Sequence, residues 1–383
     1  MRLLFSSGAG HSHIAPMLPL TAAARDAGHE VAFVTGPSAV HHAELPGVRT
    51  VAIGAETEGS FAPYLEKFPP ETFDGFTRDE KLAHMLAHYM VGMGAAARVA
   101  DLLGFVREWR PDLVITNLAE RAAMMAAVAA GVPYAMHAIG PPKSAALMAD
   151  AWRVAGDVVR DFGVDELPPR DDVPYLDIWP DALYPDGVAW EYPTRWPLRP
   201  EAAVPVAGEP HPALSGLPYE RTVYVTSGTT HNTRPGVLEA MVEALREEQV
   251  NVVATIGRNG DRDRFGTQPA HVRIEHFVPQ ERLLPHVDVV VCHAGAGTVL
   301  GALAHGVPLV TTPLATDQFD AADQVERAGA GVVAEASTEA VRDALRTVVA
   351  GPSFRDSADA VATRIAAMPV PHEVLKRLSA HFA

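Results

Sequence analysis

Val287-Asp288-Val289-Val290-Val291-Cys292-His293-Ala294-Gly295-Ala296-Gly297-Thr298-Val299-Leu300-Gly301-Ala302-Leu303-Ala304-His305-Gly306-Val307-Pro308-Leu309-Val310-Thr311-Thr312-Pro313 is the stretch that decides the fold. Val287 to Cys292 is apolar but for Asp288, as a buried strand should be, and it runs straight into a glycine turn. A helix follows, stops at Gly306 and gives way to a second β-branched run, the sequence form of a parallel βαβ unit. The turn also has chemical content. Amides at a helix N-terminus carry partial positive charge, and glycine lets an anion approach the backbone without meeting a β-carbon. Gly295 and Gly297, flanked by the His293 and Thr298 side chains, therefore suit a diphosphate. Taken alone, the same residues serve equally well as a tight strand-to-helix turn.

The rhythm continues in both directions. Thr222 to Thr226, Asn251 to Ile256, Val272 to Phe277 and Val332 to Glu335 read as further strands of the second half. Arg2 to Ser7, Glu30 to Thr35, Asp112 to Thr116 and Tyr134 to Ile139 read as strands of the first, with a helix from Pro16 to Ala27 stopped by Gly28. The expected class is α/β, with two doubly wound parallel-sheet domains. Ser227-Gly228-Thr229-Thr230 closes a strand and leads into a helix near Pro235. Ligands of open α/β sheets bind outside the carboxyl ends of the strands, so this turn, the His293 turn and the strand ends at Phe277 and Pro313 should ring one crevice. Asp317 and Gln318, just beyond Pro313, offer a carboxylate and a carboxamide to sugar hydroxyls.

Six prolines between Pro197 and Pro218 mark an extended connection. The expected organisation is a first domain over 1–205, a linker over 206–219, a second domain over 220–352, and helices over 353–383 that return to the first domain. Phe61, Tyr64, Phe68, Phe73, Phe76, Met85, Tyr89, Met90 and Met93 crowd one insert of the first half. Core filling explains any one of them more simply, but together they make a wall suited to an apolar ligand, with Phe61, Tyr64, Phe76, His84, His88 and Tyr89 as its contact residues.

The 383-residue chain has 47 acids against 31 bases, which argues against a broad nucleic-acid surface. Its single cysteine, Cys292, excludes disulfides and cysteine-rich metal clusters and suits a reducing compartment. No export signal is read at the N-terminus, and no run approaches the ~20 apolar residues of a membrane span, so the expected location is the cytoplasm. Oligomeric state is open, a homodimer included.

Three motifs in order, Phe277-Val278-Pro279-Gln280, His293 to Thr298 and Pro313 to Gln318, together with Gly10-His11-Ser12-His13-Ile14-Ala15-Pro16 at the front, resemble family 1 glycosyltransferases of the GT-B fold. The likeness is closest to bacterial enzymes that decorate antibiotics, and it covers essentially the whole chain. It implies two Rossmann-like domains facing each other across a cleft. It also implies a nucleoside diphosphate sugar, thymidine-linked before other nucleosides, as co-substrate rather than any cofactor. The roles carried over place the nucleobase at Phe277 and Val278, with Gln280 in the same motif. The diphosphate falls at Thr229, His293, Gly297 and Thr298, and the sugar hydroxyls at Asp317 and Gln318; Ser227, Gly228 and Gly295 of the same turns are further donor-binding candidates. Phe277 replaces the tryptophan of plant relatives, and Gly301 stands where they carry a ribose-binding glutamate.

His13 occupies the position of the family's general base, ahead of His11. Plant relatives orient that histidine with an aspartate, but here the strand ends in Asn117. An amide oxygen can accept the imidazole hydrogen bond and fix the tautomer without supplying charge, for which Glu120 is the nearby candidate. Gly8-Ala9-Gly10 lacks the third glycine of a dinucleotide fingerprint. His84 and His88 lack the glutamate of a zinc hydrolase. Asp261-Arg262-Asp263 lies in a charged loop, and helix dipoles can neutralise a leaving diphosphate, so no metal is expected. The leading expectation is an inverting transfer of a deoxyhexose to an apolar natural product such as a polyketide. A nucleotide-sugar epimerase and a non-catalytic nucleotide-sugar binder are the alternatives.

Overall fold

A computed structural model of the chain describes residues 1–54, 61–200, 210–228 and 234–383. Thr229, Thr230 and residues 206–209 of the expected linker lie outside these. The chain forms two compact units, Met1–Ile178 with Asp186–Leu198 and Pro369–Ala383, and Trp179–Pro185 with Arg199–Met368.

The first unit is built on a seven-stranded sheet in the order β3-β2-β1-β4-β5-β6-β7, every pairing parallel. Its strands are β1 (Arg2–Ser6), β2 (Glu30–Thr35), β3 (Arg49–Ala52), β4 (Leu113–Asn117), β5 (Tyr134–His137), β6 (Tyr175–Asp177) and β7 (Arg195–Pro197). The expected strands at β1, β2, β4 and β5 are present. Those at β3, β6 and β7 were not read from the sequence, being only three or four residues long with few β-branched side chains. Pro197 is tolerated because β7 is an edge strand, which does not need every N–H.

The helices of this unit are α1 (His11–Ile14), α2 (Leu18–Asp26), α3 (Ala62–Lys67), α4 (Arg78–His84), α5 (Ala96–Trp109), α6 (Arg121–Ala130) and α7 (Ala149–Arg160). A π-helical stretch, Met85–Ala95, joins α4 to α5 into one continuous rod. Thr77 starts the rod with a reciprocal cap: its hydroxyl accepts from the Glu80 amide at 3.3 Å while the Glu80 carboxylate accepts from the Thr77 amide at 2.7 Å. Left-handed Arg110 ends it, and Gly131 ends α6 in the same way. The rod from Arg78 to Trp109 is the one helix among the described residues whose length and composition would let it cross a membrane, although charged residues at Arg78 to Lys81, Arg98 and Asp101 keep any run in it short of ~20 apolar residues. It packs on α6 and α7 of its own unit, so its apolar length covers a protein core.

The second unit carries a six-stranded parallel sheet in the order β10-β9-β8-β11-β12-β13. These strands are β8 (Thr222–Thr226), β9 (Asn251–Thr255), β10 (Val272–Glu275), β11 (Val289–Cys292), β12 (Leu309–Thr311) and β13 (Gly331–Val333). Helices α8 (Val237–Leu245), α9 (Ala296–Ala304), α10 (Asp317–Arg327) and α11 (Thr338–Ala350) alternate with them. Val223, Val225, Val252, Ala254, Val289, Val291 and Val310 pack under Leu238, Met241 and Leu345 from the helices.

At the C-terminus, α12 (Pro352–Ala366) packs on α9 and counts with the second unit, whereas α13 (Pro371–His381) packs on α2 in the first. The helices expected together over 353–383 therefore part at Pro369, where a helix cannot continue. Trp179 to Pro185 is a short excursion into the second unit, fixed by a 2.7 Å hydrogen bond from the Trp179 indole to Gln324 and by Arg364 on Asp181.

Candidate functional site

The carboxyl edge of the second sheet gathers the described donor residues expected from the sequence. β11 ends in Cys292, in register with Thr226 of β8, so the turns that follow these adjacent strands lie side by side. His293 is buried, and its ring lies against both Gly228 and Gly295. Gly295 caps α9, its carbonyl accepting from the amides of Thr298 and Val299 at 3.0 Å. Gly297 is exposed in the first turn of that helix. Ser227 is fully buried, and its hydroxyl has no hydrogen-bond partner among the described residues.

Two of the separate sequence motifs are tied together by side chains. The Gln280 carboxamide donates to the Thr298 hydroxyl at 3.1 Å and to the Tyr224 hydroxyl at 3.4 Å. Val278 is buried, whereas Phe277 is 46% exposed, a large aromatic surface offered to solvent at the end of β10. The guanidinium of Arg258, beyond β9, sits 3.9 Å from the centroid of that ring. Arg258 was not singled out from the sequence, and its only signal there was its place after a strand end.

Backbone strain collects at this edge. Three non-glycine residues among those described have positive φ, and two of them are Ala294 at 62° and Thr316 at 50°. A β-branched residue in that region costs about 1–3 kcal/mol and persists only where its surroundings impose it, commonly at a ligand site. Thr316 precedes Asp317 and donates to its carboxylate at 2.9 Å. The Gln318 oxygen accepts from the amides of Leu314 at 2.9 Å and Ala315 at 3.1 Å, so it shapes the loop.

In the first unit, His13 stands on α1 after Gly10, half-buried, and a β-carbon on Gly10 would lie 3.3 Å from its Nδ1. The Asn117 nitrogen donates to the Ser7 hydroxyl at 2.9 Å and to the main-chain carbonyl of His13 at 3.4 Å, while its oxygen accepts from the Ala119 amide at 3.0 Å. The expected bond from imidazole to the Asn117 oxygen is therefore replaced by a tie to the His13 backbone, because the oxygen is turned into the loop that follows β4. Glu120, the candidate source of charge, is engaged elsewhere. It caps α6 through the Ala122 amide and pairs with buried Arg98.

The six aromatic residues expected to meet an apolar ligand form one connected cluster. Phe61 and Tyr89 rings lie 4.5 Å apart, Phe61 and Tyr64 5.0 Å, and His84 and His88 4.3 Å. Phe76 reaches His84 at 6.3 Å, and Phe68 and Phe73 complete the packing. Tyr64 is joined to His84 Nδ1 at 2.8 Å. Burial holds the His84 and His88 imidazoles below their ordinary pKa and the Tyr64 and Tyr89 phenols above theirs, so the cluster is uncharged at neutral pH. Phe61 and Phe76 remain more than a third exposed.

His137, at the end of β5 in register with Asn117, was missed as a candidate. It is fully buried with Nδ1 2.6 Å from the Ala138 carbonyl, Nε2 meets no partner among the described residues, and desolvation lowers its pKa to about 4. Among the described residues no group of three or more His, Cys, Asp or Glu side chains is placed to hold a metal ion.

Two all-parallel α/β units with this motif-bearing edge define a glycosyltransferase of the GT-B fold. The chain belongs to the erythromycin biosynthesis protein CIII-like family, whose N-terminal domain matches residues 22–179 and whose C-terminal domain matches residues 239–381. Elloramycin glycosyltransferase ElmGT of Streptomyces olivaceus is 30% identical, with 100% of this chain and 98% of that protein covered. The 4'-demethylrebeccamycin synthase of Lentzea aerocolonigenes is likewise 30% identical over 92% of this chain and 93% of its own. Among solved structures, glycosyltransferase SnogD from Streptomyces nogalater superposes with a TM-score of 0.76 at 28% identity, covering 100% of this chain and 99% of its own.

Proposed function

We propose that the protein transfers a deoxyhexose from its thymidine diphosphate to a hydroxyl of an apolar natural product, inverting the anomeric carbon, with His13 as general base. The carboxyl edge of the second sheet carries this reading: exposed Phe277, Thr298 held by Gln280, the His293 turn and strained Thr316 beside Asp317 all follow the ends of its strands, where Phe277 would meet the nucleobase, the His293 turn with Thr298 the diphosphate, and Asp317 the sugar. Relatives add support. One is named aclacinomycin-T 2-deoxy-L-fucose transferase and another TDP-daunosamine transferase, and the VinC structure holds dTDP.

In this mechanism the acceptor oxygen attacks the anomeric carbon while its proton passes to the His13 imidazole. The bond from that carbon to the phosphate oxygen breaks, and its electron pair leaves with thymidine diphosphate. The amides at the start of α9 stabilise the charge, and neither metal nor cofactor takes part. Asn117 holds the backbone of the base, and the uncharged cluster from Phe61 to Tyr89 receives the acceptor's apolar body.

The test is incubation with TDP-deoxyhexoses and a panel of aglycones, following thymidine diphosphate release and the anomeric configuration of the product by NMR. Acceptor-dependent release with inversion is the expected result. Retention would overturn the single displacement, a changed sugar without release would make the protein an epimerase, and binding without turnover would make it a carrier.

A further inference from the structure

We infer that Gly228 and Gly295 are positioning residues whose missing β-carbons form the slot that holds the His293 imidazole, leaving Gly297 as the glycine of that turn that faces the ligand. The inference rests on the proposed function in taking this turn as the diphosphate site, and it divides labour among glycines that the sequence treats alike.

A β-carbon on Gly228 would lie 2.4 Å from Cε1 and 2.7 Å from Nε2 of His293, and one on Gly295 would lie 2.5 Å from Nε2 and 2.7 Å from Cε1. Non-bonded carbons rest at about 3.5–4.0 Å, so neither position accepts a side chain while the ring keeps its place. The two walls come from neighbouring strand ends, Gly228 after β8 and Gly295 after β11. Gly295 is brought back onto a ring only two residues earlier because Ala294 between them takes the left-handed φ of 62°. Gly297 differs: a β-carbon there would meet nothing within 4 Å.

Gly228 has two reasons to be glycine, since its own φ is +72°. Gly295 has an ordinary φ of −63°, so the contact with His293 is the reason left to it. That makes Gly295 the clean probe. It also caps α9, and serine is at least as good a cap as glycine whereas alanine is poorer. Gly295→Ser therefore separates capping from the slot: a helix that wants only a cap tolerates it, and an imidazole that needs the space does not.

The experiment measures thymidine diphosphate binding by calorimetry in Gly295→Ala, Gly295→Ser, His293→Ala and the double variant Gly295→Ala with His293→Ala, and the His293 Cε1–H resonance of the ligand-free parent, Gly295→Ala and Gly295→Ser. Both Gly295 single variants are expected to weaken binding tenfold or more and to move the imidazole resonance. The double variant is expected to bind within twofold of His293→Ala, because with the ring gone the added methyl has nothing to displace. Wild-type affinity in Gly295→Ser, or a full additional loss in the double variant, would overturn the inference. If His293→Ala binds thymidine diphosphate as the parent does, the functional reading fails instead. The slot is then judged on the resonance alone, and an unmoved Cε1–H signal in Gly295→Ala would sink it.

Discussion

The carboxyl edge of the second sheet and the aromatic cluster of the first unit are made of different materials. The former is built from backbone: glycines, left-handed turns at Ala294 and Thr316, and short hydrogen-bonded ties such as Gln280 to Thr298. The latter is built from side chains on α3, α4 and the π-helical stretch, held by ring contacts and the Tyr64 to His84 bond. On the proposed function, main-chain geometry would fix the position of a charge shared by every nucleoside diphosphate, whereas side-chain walls can be recut for each apolar partner without disturbing a sheet.

The sharpest way to break this contrast is at the base. His13→Ala is expected to lower kcat by ~10²–10⁴-fold, the usual share of a positioned proton transfer, with thymidine diphosphate affinity unchanged. A matching loss of nucleotide affinity would show that the two regions do not divide the work.

Acid stability distinguishes the units next. His137 is neutral when folded, with a pKa of about 4 against 6.5 when exposed. The unfolded chain binds a proton below pH 6.5 that the folded chain refuses until about 4, so stability falls as pH drops through that window. The loss reaches roughly 3 kcal/mol, at about 1.4 kcal/mol for each pH unit between the two values. Urea denaturation of His137→Gln at pH 7 and pH 4.5 should give a flatter acid limb than the parent, and parallel limbs would refute the assignment.

Phe277→Ala should weaken thymidine diphosphate by ~1–3 kcal/mol in calorimetry, the usual worth of one base stacked on one ring. The smallest effect belongs to the aromatic cluster. Tyr64→Phe removes one hydrogen bond, worth about 1 kcal/mol, and should raise the acceptor KM several-fold without touching nucleotide affinity.

The sequence is most legible where burial leaves no choice. Val289 to Cys292 had to be apolar throughout, and the glycine turn behind it had to be a strand end. β6 and β7 stay hidden because three residues such as Tyr175-Leu176-Asp177 carry no periodicity to read, and their pairing is imposed by the sheet. The π-helical stretch is equally silent, since a ladder shifted by one residue leaves no mark on composition. Asn117 is legible in its place and not in its role. Which end of a carboxamide meets which neighbour depends on Ser7 and Ala119, remote or adjacent, and not on the strand it ends. The Arg258 and Phe277 stack joins two strand ends that only the fold brings together.

The polypeptide passes between the two units at Trp179, Asp186, Arg199 and Pro369. Anyone wishing to graft a foreign N-terminal half onto this C-terminal half with one splice near residue 200 would strand two pieces. The heptapeptide bearing Trp179 would be replaced by the other parent's, leaving Gln324 without its indole, and α13 would face a host lacking its own Trp196, on which Arg377 now stacks 3.8 Å away. Recombinant hybrids of this architecture should be exchanged as interleaved segments, with the tail travelling alongside the N-terminal half.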